Sequence, residues 1–168
     1  MGANFGSHTV YFAAIMKARR VHSFEPQAHL IDVIKKTLEL NQIDNVTLHQ
    51  AVAGAKLGKA HLKRTHAENS GMAEFRPGAG DLPVDMLPVD DVVGEEHVTG
   101  VKIDVEGMQM PVLRGMSKTI RRCAPVLWLE LRPAKGEIEQ PSEWLAKRGY
   151  RRQQISFRDF LFIPETSA

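Results

Sequence analysis

At 168 residues, 43% of them hydrophobic, the chain has the length and apolar content of one ordinary domain with its own core. The formal charge is only +2, and the basic pairs Arg19-Arg20, Arg121-Arg122 and Arg151-Arg152 are scattered, which argues against a nucleic-acid-binding stripe. A single cysteine excludes an intramolecular disulfide, and no apolar run reaches the ~20 residues of a membrane span or builds a signal peptide, so a cytoplasmic protein without membrane attachment is expected.

The chain opens on Met1-Gly2-Ala3-Asn4-Phe5-Gly6-Ser7-His8-Thr9, which reads as a glycine loop running into a helix. Gly2 and Gly6 permit sharp turns and close backbone approach, and the N–H groups of the following helix would face a ligand there. Such loops hang from the end of a buried strand, whereas this one begins at residue 1. The pattern predicts a helix over 9–20 with Val10, Tyr11, Ala14 and Ile15 on it and a basic end. Val21-His22-Ser23-Phe24 is a short strand, closed by Glu25-Pro26, with Pro26 as the first residue of the next helix. That helix carries Leu30, Val33, Ile34 and Leu38 on one face and stops at Asn41.

A further strand is expected over 46–52, and the alternation of strand and helix predicts the α/β class with a doubly wound sheet. Between 53 and 91 glycines and prolines break the pattern, leaving short strands near 60–64, 72–75 and 84–89 as an edge hairpin. Regularity returns with a strand over 98–103, ending at Asp104-Val105-Glu106-Gly107, and a helix over 108–122 with Val112, Leu113, Met116 and Ile120 inward. A strand over 125–131 ends in Glu130-Leu131-Arg132-Pro133, a helix covers 142–147, and 150–156 with 159–163 reads as a terminal antiparallel pair.

Ligands of open α/β sheets bind at the carboxyl ends of the strands, and acidic residues fall there. Glu25, 19 residues after Gly6, suits a carboxylate accepting from both ribose hydroxyls of an adenosine cofactor; a cap for the next helix is the alternative, and the glycine loop favours the ribose role. Asp104 and Glu106 lie two apart and face one side if extended, so one of them would orient or deprotonate an acceptor hydroxyl. Glu106 has the alternative role of an acid at a helix start. His8, His22, His29, His49, His61, His66 and His97 show no paired spacing on one helix face, so no metal site is expected. Cys123 reads as a small residue at a helix end rather than a nucleophile.

Several segments together resemble the FkbM family of S-adenosylmethionine-dependent methyltransferases, in order and spacing across nearly the whole chain. They are residues 2–9, Phe24-Glu25-Pro26, Asn45-Val46-Thr47-Leu48-His49, Pro88-Val89-Asp90-Asp91, Lys102-Ile103-Asp104-Val105-Glu106-Gly107 and Gly149-Tyr150. The resemblance implies a class I methyltransferase fold, Rossmann-like, with a mainly parallel sheet, a reversed strand near its C-terminal edge and helices on both faces. It implies S-adenosylmethionine as cofactor and O-methylation of a hydroxyl on a small molecule or carbohydrate, with no nucleic-acid or membrane partner. It places Gly2, Asn4 and Gly6 near the methionine part of the cofactor, Glu25 at the ribose, and Gln50, Ala51 and Val52 near adenine. Asp104 falls beside the methionine end and the acceptor as first candidate base, with Glu106 second. Asn69 resembles a family position in the variable arm, its role open.

Family members carry a hydrophobic strand ending in an acid just before Gly-Ala-Asn, and here Met1 stands in that acid's place. The chain is therefore read as a single methyltransferase domain over 1–168, truncated at its N-terminus and lacking its first strand. Two other readings accompany this one. A non-catalytic cofactor-binding or interaction remnant follows from the absent strand. A nicotinamide-dependent oxidoreductase would share the loop and the later acid, but the third glycine of Gly-x-Gly-x-x-Gly is missing.

Overall fold

The computed structural model describes residues 1–66, 69–78 and 83–165, with side chains described outside 62–73. The chain forms two compact units, residues 1–52 with 58–86 and residues 53–57 with 87–168.

In the first unit the loop enters a short helix, α1 (Ser7–Val10), which widens into a π turn over Tyr11–Ile15. The helix expected to reach Arg20 ends here. Met16 N–H donates to Tyr11 O and Ala18 N–H to Phe12 O, wider spacings than an α-helix uses, and Lys17 takes a φ of +51°. Asn45 then covers the freed carbonyls, its Nδ2 donating to Ala13 O at 3.2 Å and Ala18 O at 2.7 Å. The basic run 17–20 consequently lies outside the helix.

β1 (Val21–Phe24) pairs in parallel with β2 (Val46–His49), from Val21 opposite Val46 to Phe24 opposite His49. Between them α2 (Ala28–Leu40) buries Leu30, Ile31, Ile34 and Leu38. Val33, expected inward, is exposed, because the buried stripe follows 30, 31, 34 and 38. The helix starts at Ala28 rather than Pro26, with Gln27 as its extended N-cap, and Asn41 ends it as expected. The strand expected over 46–52 breaks after His49, where Ala51 N–H turns back to His49 O; Val52–Ala53 (β3) is a separate piece. In the arm, β4 (Gly58–His66) runs antiparallel to both β5 (Asn69–Pro77) and β6 (Pro83–Leu87), longer strands than the glycines and prolines implied.

The second unit holds a sheet of β7 (Gly100–Ile103), β8 (Val126–Glu130), β9 (Tyr150–Gln154) and β10 (Asp159–Pro164), in the spatial order β7-β8-β10-β9. β7 and β8 are parallel; β10 runs antiparallel to β8 and to β9. The parallel character of the expected sheet is thus seen in the β1–β2 and β7–β8 pairs, and the reversed strand is β10. Leu127, Leu129 and Leu131 alternate into the core with Ile103, Phe160 and Phe162.

Three helices of this unit depart from expectation. α3 (Val89–Val93) was not foreseen; its Asp90 carboxylate accepts from Lys118 N, Thr119 N and the Thr119 hydroxyl. The helix expected over 108–122 is two, α4 (Gln109–Gly115) and α5 (Ser117–Cys123), interrupted at Met116. Val112, Leu113, Met116 and Ile120 are nevertheless all buried, since the break does not rotate the stripe. A Cβ on Gly115 would overlap the Gly54 carbonyl, so only glycine fits there. α5 closes on Ala124, held left-handed at φ +43° with its N–H donating to Ile120 O. A 3-10 turn (Pro133–Lys135) precedes α6 (Glu139–Ala146). Among the described residues no helix is long and apolar enough to cross a membrane.

Candidate active site

The glycine loop is folded back on the end of β1. Gly2 and Ala3 N–H both donate to Phe24 O, and Gly2, Asn4 and Gly6 all take positive φ, at +73°, +50° and +86°. Gly6 has a packing reason as well: its Cβ would press on Ile34 Cγ1 at 3.0 Å. Thr9 and Ser23 join α1 to β1 through their hydroxyls.

Glu25 is 4% exposed and locks this loop. Its Oε2 accepts from Asn4 N at 2.9 Å, and its Oε1 accepts from Gln27 N at 3.1 Å and Gln27 Nε2 at 3.4 Å. Glu25 meets the start of α2 only at Gln27, the residue before its first turn. A carboxylate has about four acceptor directions, so about one is left for a ligand. Burial raises the Glu25 pKa above its ordinary value, outweighing the backbone N–H bonds from Gln27 and Asn4 that favour the charge. Beside it, Asn4 Oδ1 is buried and has no hydrogen-bond partner among the described residues. An unsatisfied acceptor of this kind is rare in a folded protein, and the ammonium of an adenosyl-amino-acid cofactor is a donor that would fit it. Gln50 is exposed, whereas Ala51 and Val52 are buried in the core.

Asp104 and Glu106 lie in the second unit, in a small recess lined also by Val105, Gln109, Glu130 and Arg132. Lys102 Nζ, on a side chain only 7% exposed, donates to Asp104 Oδ2 at 3.0 Å and sits 5.0 Å from the Trp128 ring centre. Glu106 is ion-paired with Arg132 Nη1. Arg132 also holds Glu137, with its Nε 3.0 Å from both carboxylate oxygens and its backbone N–H donating at 2.9 Å. Burial opposes the Glu137 charge, yet the Arg132 hydrogen bonds and charge prevail and lower its pKa. Gln109 Nε2 completes the group, donating to Glu137 Oε2 at 3.2 Å.

The sequence profile of the methyltransferase FkbM domain matches residues 1–152. The chain belongs to this family. Methyltransferase 1 of Beauveria bassiana (strain ARSEF 2860) is 24% identical over 173 residues, covering 89% of the chain and 70% of its own length. The solved methyltransferase FkbM from Methylobacillus flagellatus KT matches 96% of the chain at a TM-score of 0.74 and 16% identity. The chain spans 41% of that FkbM structure's length. An rRNA methylase from Streptococcus thermophilus matches 95% of the chain and 80% of its own length, at TM-score 0.54 and 16% identity. A protein from Streptococcus mutans solved with SAH matches 95% of the chain and 82% of its own length, at TM-score 0.58 and 14% identity. These likenesses establish the class I methyltransferase fold for this FkbM-domain protein.

Two features of the FkbM domain were missed in its sequence. Glu130 and Arg132 read only as a polar strand end; their neighbours Asp104 and Glu106 come from the preceding parallel strand, a pairing that needs the β7–β8 register. His22 and His49 lie at 3.0 Å, Nδ1 to Nε2, with stacked rings, and Phe24 also stacks on His49 at 4.7 Å between centres. Burial and the His22 charge lower the His49 pKa. Asn69 opens β5 opposite His66, and its side chain lies outside the described residues.

Proposed function

We propose that this FkbM-domain protein is an S-adenosylmethionine-dependent O-methyltransferase of a hydroxyl on a small molecule or carbohydrate, working in the cytoplasm as one domain. The observation that carries the reading is the buried, unpartnered Asn4 Oδ1 beside the loop-locking Glu25. When bound, the cofactor supplies an activated methyl group on a sulfonium. Asn4 Oδ1 accepts a donor from its amino-acid end, and the remaining acceptor direction of Glu25 takes a ribose hydroxyl. Gly2 and Gly6 keep the loop turned so that these two groups stay together. Gln50, exposed, with Ala51 and Val52 behind it, would hold the adenine.

Acceptor activation belongs to Asp104. A positioned base is worth about 10²–10⁴-fold; both candidates are ion-paired, Asp104 with Lys102 and Glu106 with Arg132, and Asp104 is the more exposed of the two, at 36% against 21%. Titration calorimetry with S-adenosylmethionine and with NAD tests the cofactor: heat with NAD alone overturns the reading. Methyl-labelled cofactor offered with a panel of hydroxyl acceptors tests transfer; cofactor binding with no transfer to any acceptor would instead support the non-catalytic remnant. With an acceptor in hand, Asp104→Asn should lower transfer about 100-fold or more while leaving cofactor heat intact.

A further inference from the structure

Lys102 sits on β7 opposite Trp128 of β8, and the strand's alternation brings Asp104, two residues on, to the same face. The Lys102 side chain is only 7% exposed. An ammonium at that depth is costly unless a counter-charge and further contacts hold it, so whatever holds it also fixes where it stands.

Its surroundings supply both. Lys102 Nζ donates to Asp104 Oδ2 at 3.0 Å and stands 5.0 Å from the Trp128 ring centre, within cation–π range. Trp128 is anchored in turn from β10: its Nε1 donates to Asp159 Oδ1 at 2.7 Å, and Asp159 Oδ2 accepts from the Ser156 hydroxyl at 2.6 Å. Asp159 lies two residues before Leu161, the residue opposite Trp128, so the indole reaches it along one face. A row of contacts thus runs from the β9–β10 turn across three strands, β10, β8 and β7, to the Asp104 carboxylate. Glu106 is held separately, by Arg132.

An aspartate carboxylate turns about its side-chain bonds, and a part-exposed one keeps that freedom unless an oxygen is tied. We propose that Lys102 is a positioning residue for Asp104: pinned against the Trp128 ring, its ammonium holds Oδ2 and so sets the direction of the other oxygen in the recess. A lysine stem alone is a poor fixture, being long and rotatable. Burial and the anchored indole remove that freedom here, and Trp128 keeps the ammonium from following the carboxylate. The inference deepens the reading of Asp104 as base and rests on it for its catalytic meaning, but the clamp itself is measurable without cofactor or acceptor.

The test is NMR on the full chain without cofactor, reading the three-bond couplings that report the Asp104 side-chain rotamer. They should show one rotamer in the parent, averaging in Lys102→Met and Trp128→Leu, and no change in Glu106→Gln. Averaged couplings in the parent overturn the proposal, as do couplings unchanged by Lys102→Met. A lysine that only stabilised the sheet would shift urea unfolding and leave the couplings alone. Lys102→Gln replaces Lys102→Met should the latter lose the parent's circular dichroism spectrum. With a hydroxyl acceptor found to take the methyl label, Lys102→Met should lower kcat about tenfold or more at unchanged KM and cofactor heat, and add no further loss to Asp104→Asn. An equal loss in both backgrounds overturns the proposal. If Asp104→Asn itself leaves transfer intact, the base reading fails, and the couplings still decide the clamp.

Discussion

The two units of the FkbM domain hold their carboxylates by different means. Glu25 is held by main-chain N–H groups of Asn4 and Gln27, whereas Glu106 and Glu137 are held by the guanidinium of Arg132. Backbone donors bring partial charges that no side-chain substitution deletes, and here they do not overcome burial, so the Glu25 charge is disfavoured. A full counter-charge does overcome it, and the Glu137 charge is favoured. A loop can thus be locked by a carboxyl that tolerates protonation, while the recess depends on charge.

Breaking the recess should cost most. Arg132→Met leaves two half-buried carboxylates without their cation and should destabilise the protein by about 3 kcal/mol, as seen by urea unfolding. Glu25→Gln keeps the shape but turns an amide N–H toward one backbone donor, and should cost about 2 kcal/mol. It should also weaken S-adenosylmethionine binding in calorimetry; undiminished affinity would remove Glu25 from the cofactor site.

The pH dependence sharpens the contrast. A carboxyl with a raised folded pKa contributes stability that is full below its ordinary 4.5 and is lost as pH rises through the folded value. The stability gap between parent and Glu25→Gln should therefore narrow with rising pH. For Glu137, whose folded pKa is lowered, the contribution is full above 4.5 and is lost as pH falls through the folded value. The gap between parent and Glu137→Gln should widen with rising pH, and unfolding free energies across the acid range would show both slopes. The smallest change in stability belongs to Asn4→Gly, which suits φ +50° and removes the unpartnered acceptor: within about 1 kcal/mol of the parent, yet with S-adenosylmethionine affinity reduced about tenfold.

Much of this arrangement was legible in the sequence where one local period governs. The stripe Leu30, Ile34, Leu38, the stop at Asn41 and the pair β9–β10 follow from spacing and turn residues alone. What escaped depends on distant partners. The early end of the first helix rests on Asn45 reaching Ala13 and Ala18, and no window around Ile15 contains it. Glu106 stood as the second candidate base, and its ion pair was hidden because Arg132 reaches it from beyond the next parallel strand. Glu130 was passed over for the same reason, since only the strand register sets it beside Asp104.

Ala124 bears on a separate matter, the headroom left in this chain. An alanine at φ +43° carries a methyl group where the conformation favours none, and Lys17 and Gln42 also hold positive φ without being glycine. Ala124→Gly should therefore raise the unfolding midpoint, by about 0.5–1 kcal/mol of free energy in urea titration, without touching either carboxylate site. The domain has not exhausted the stability its own backbone permits, and an experimenter can draw on that reserve to offset variants at Arg132 or Glu25 that would otherwise fold poorly.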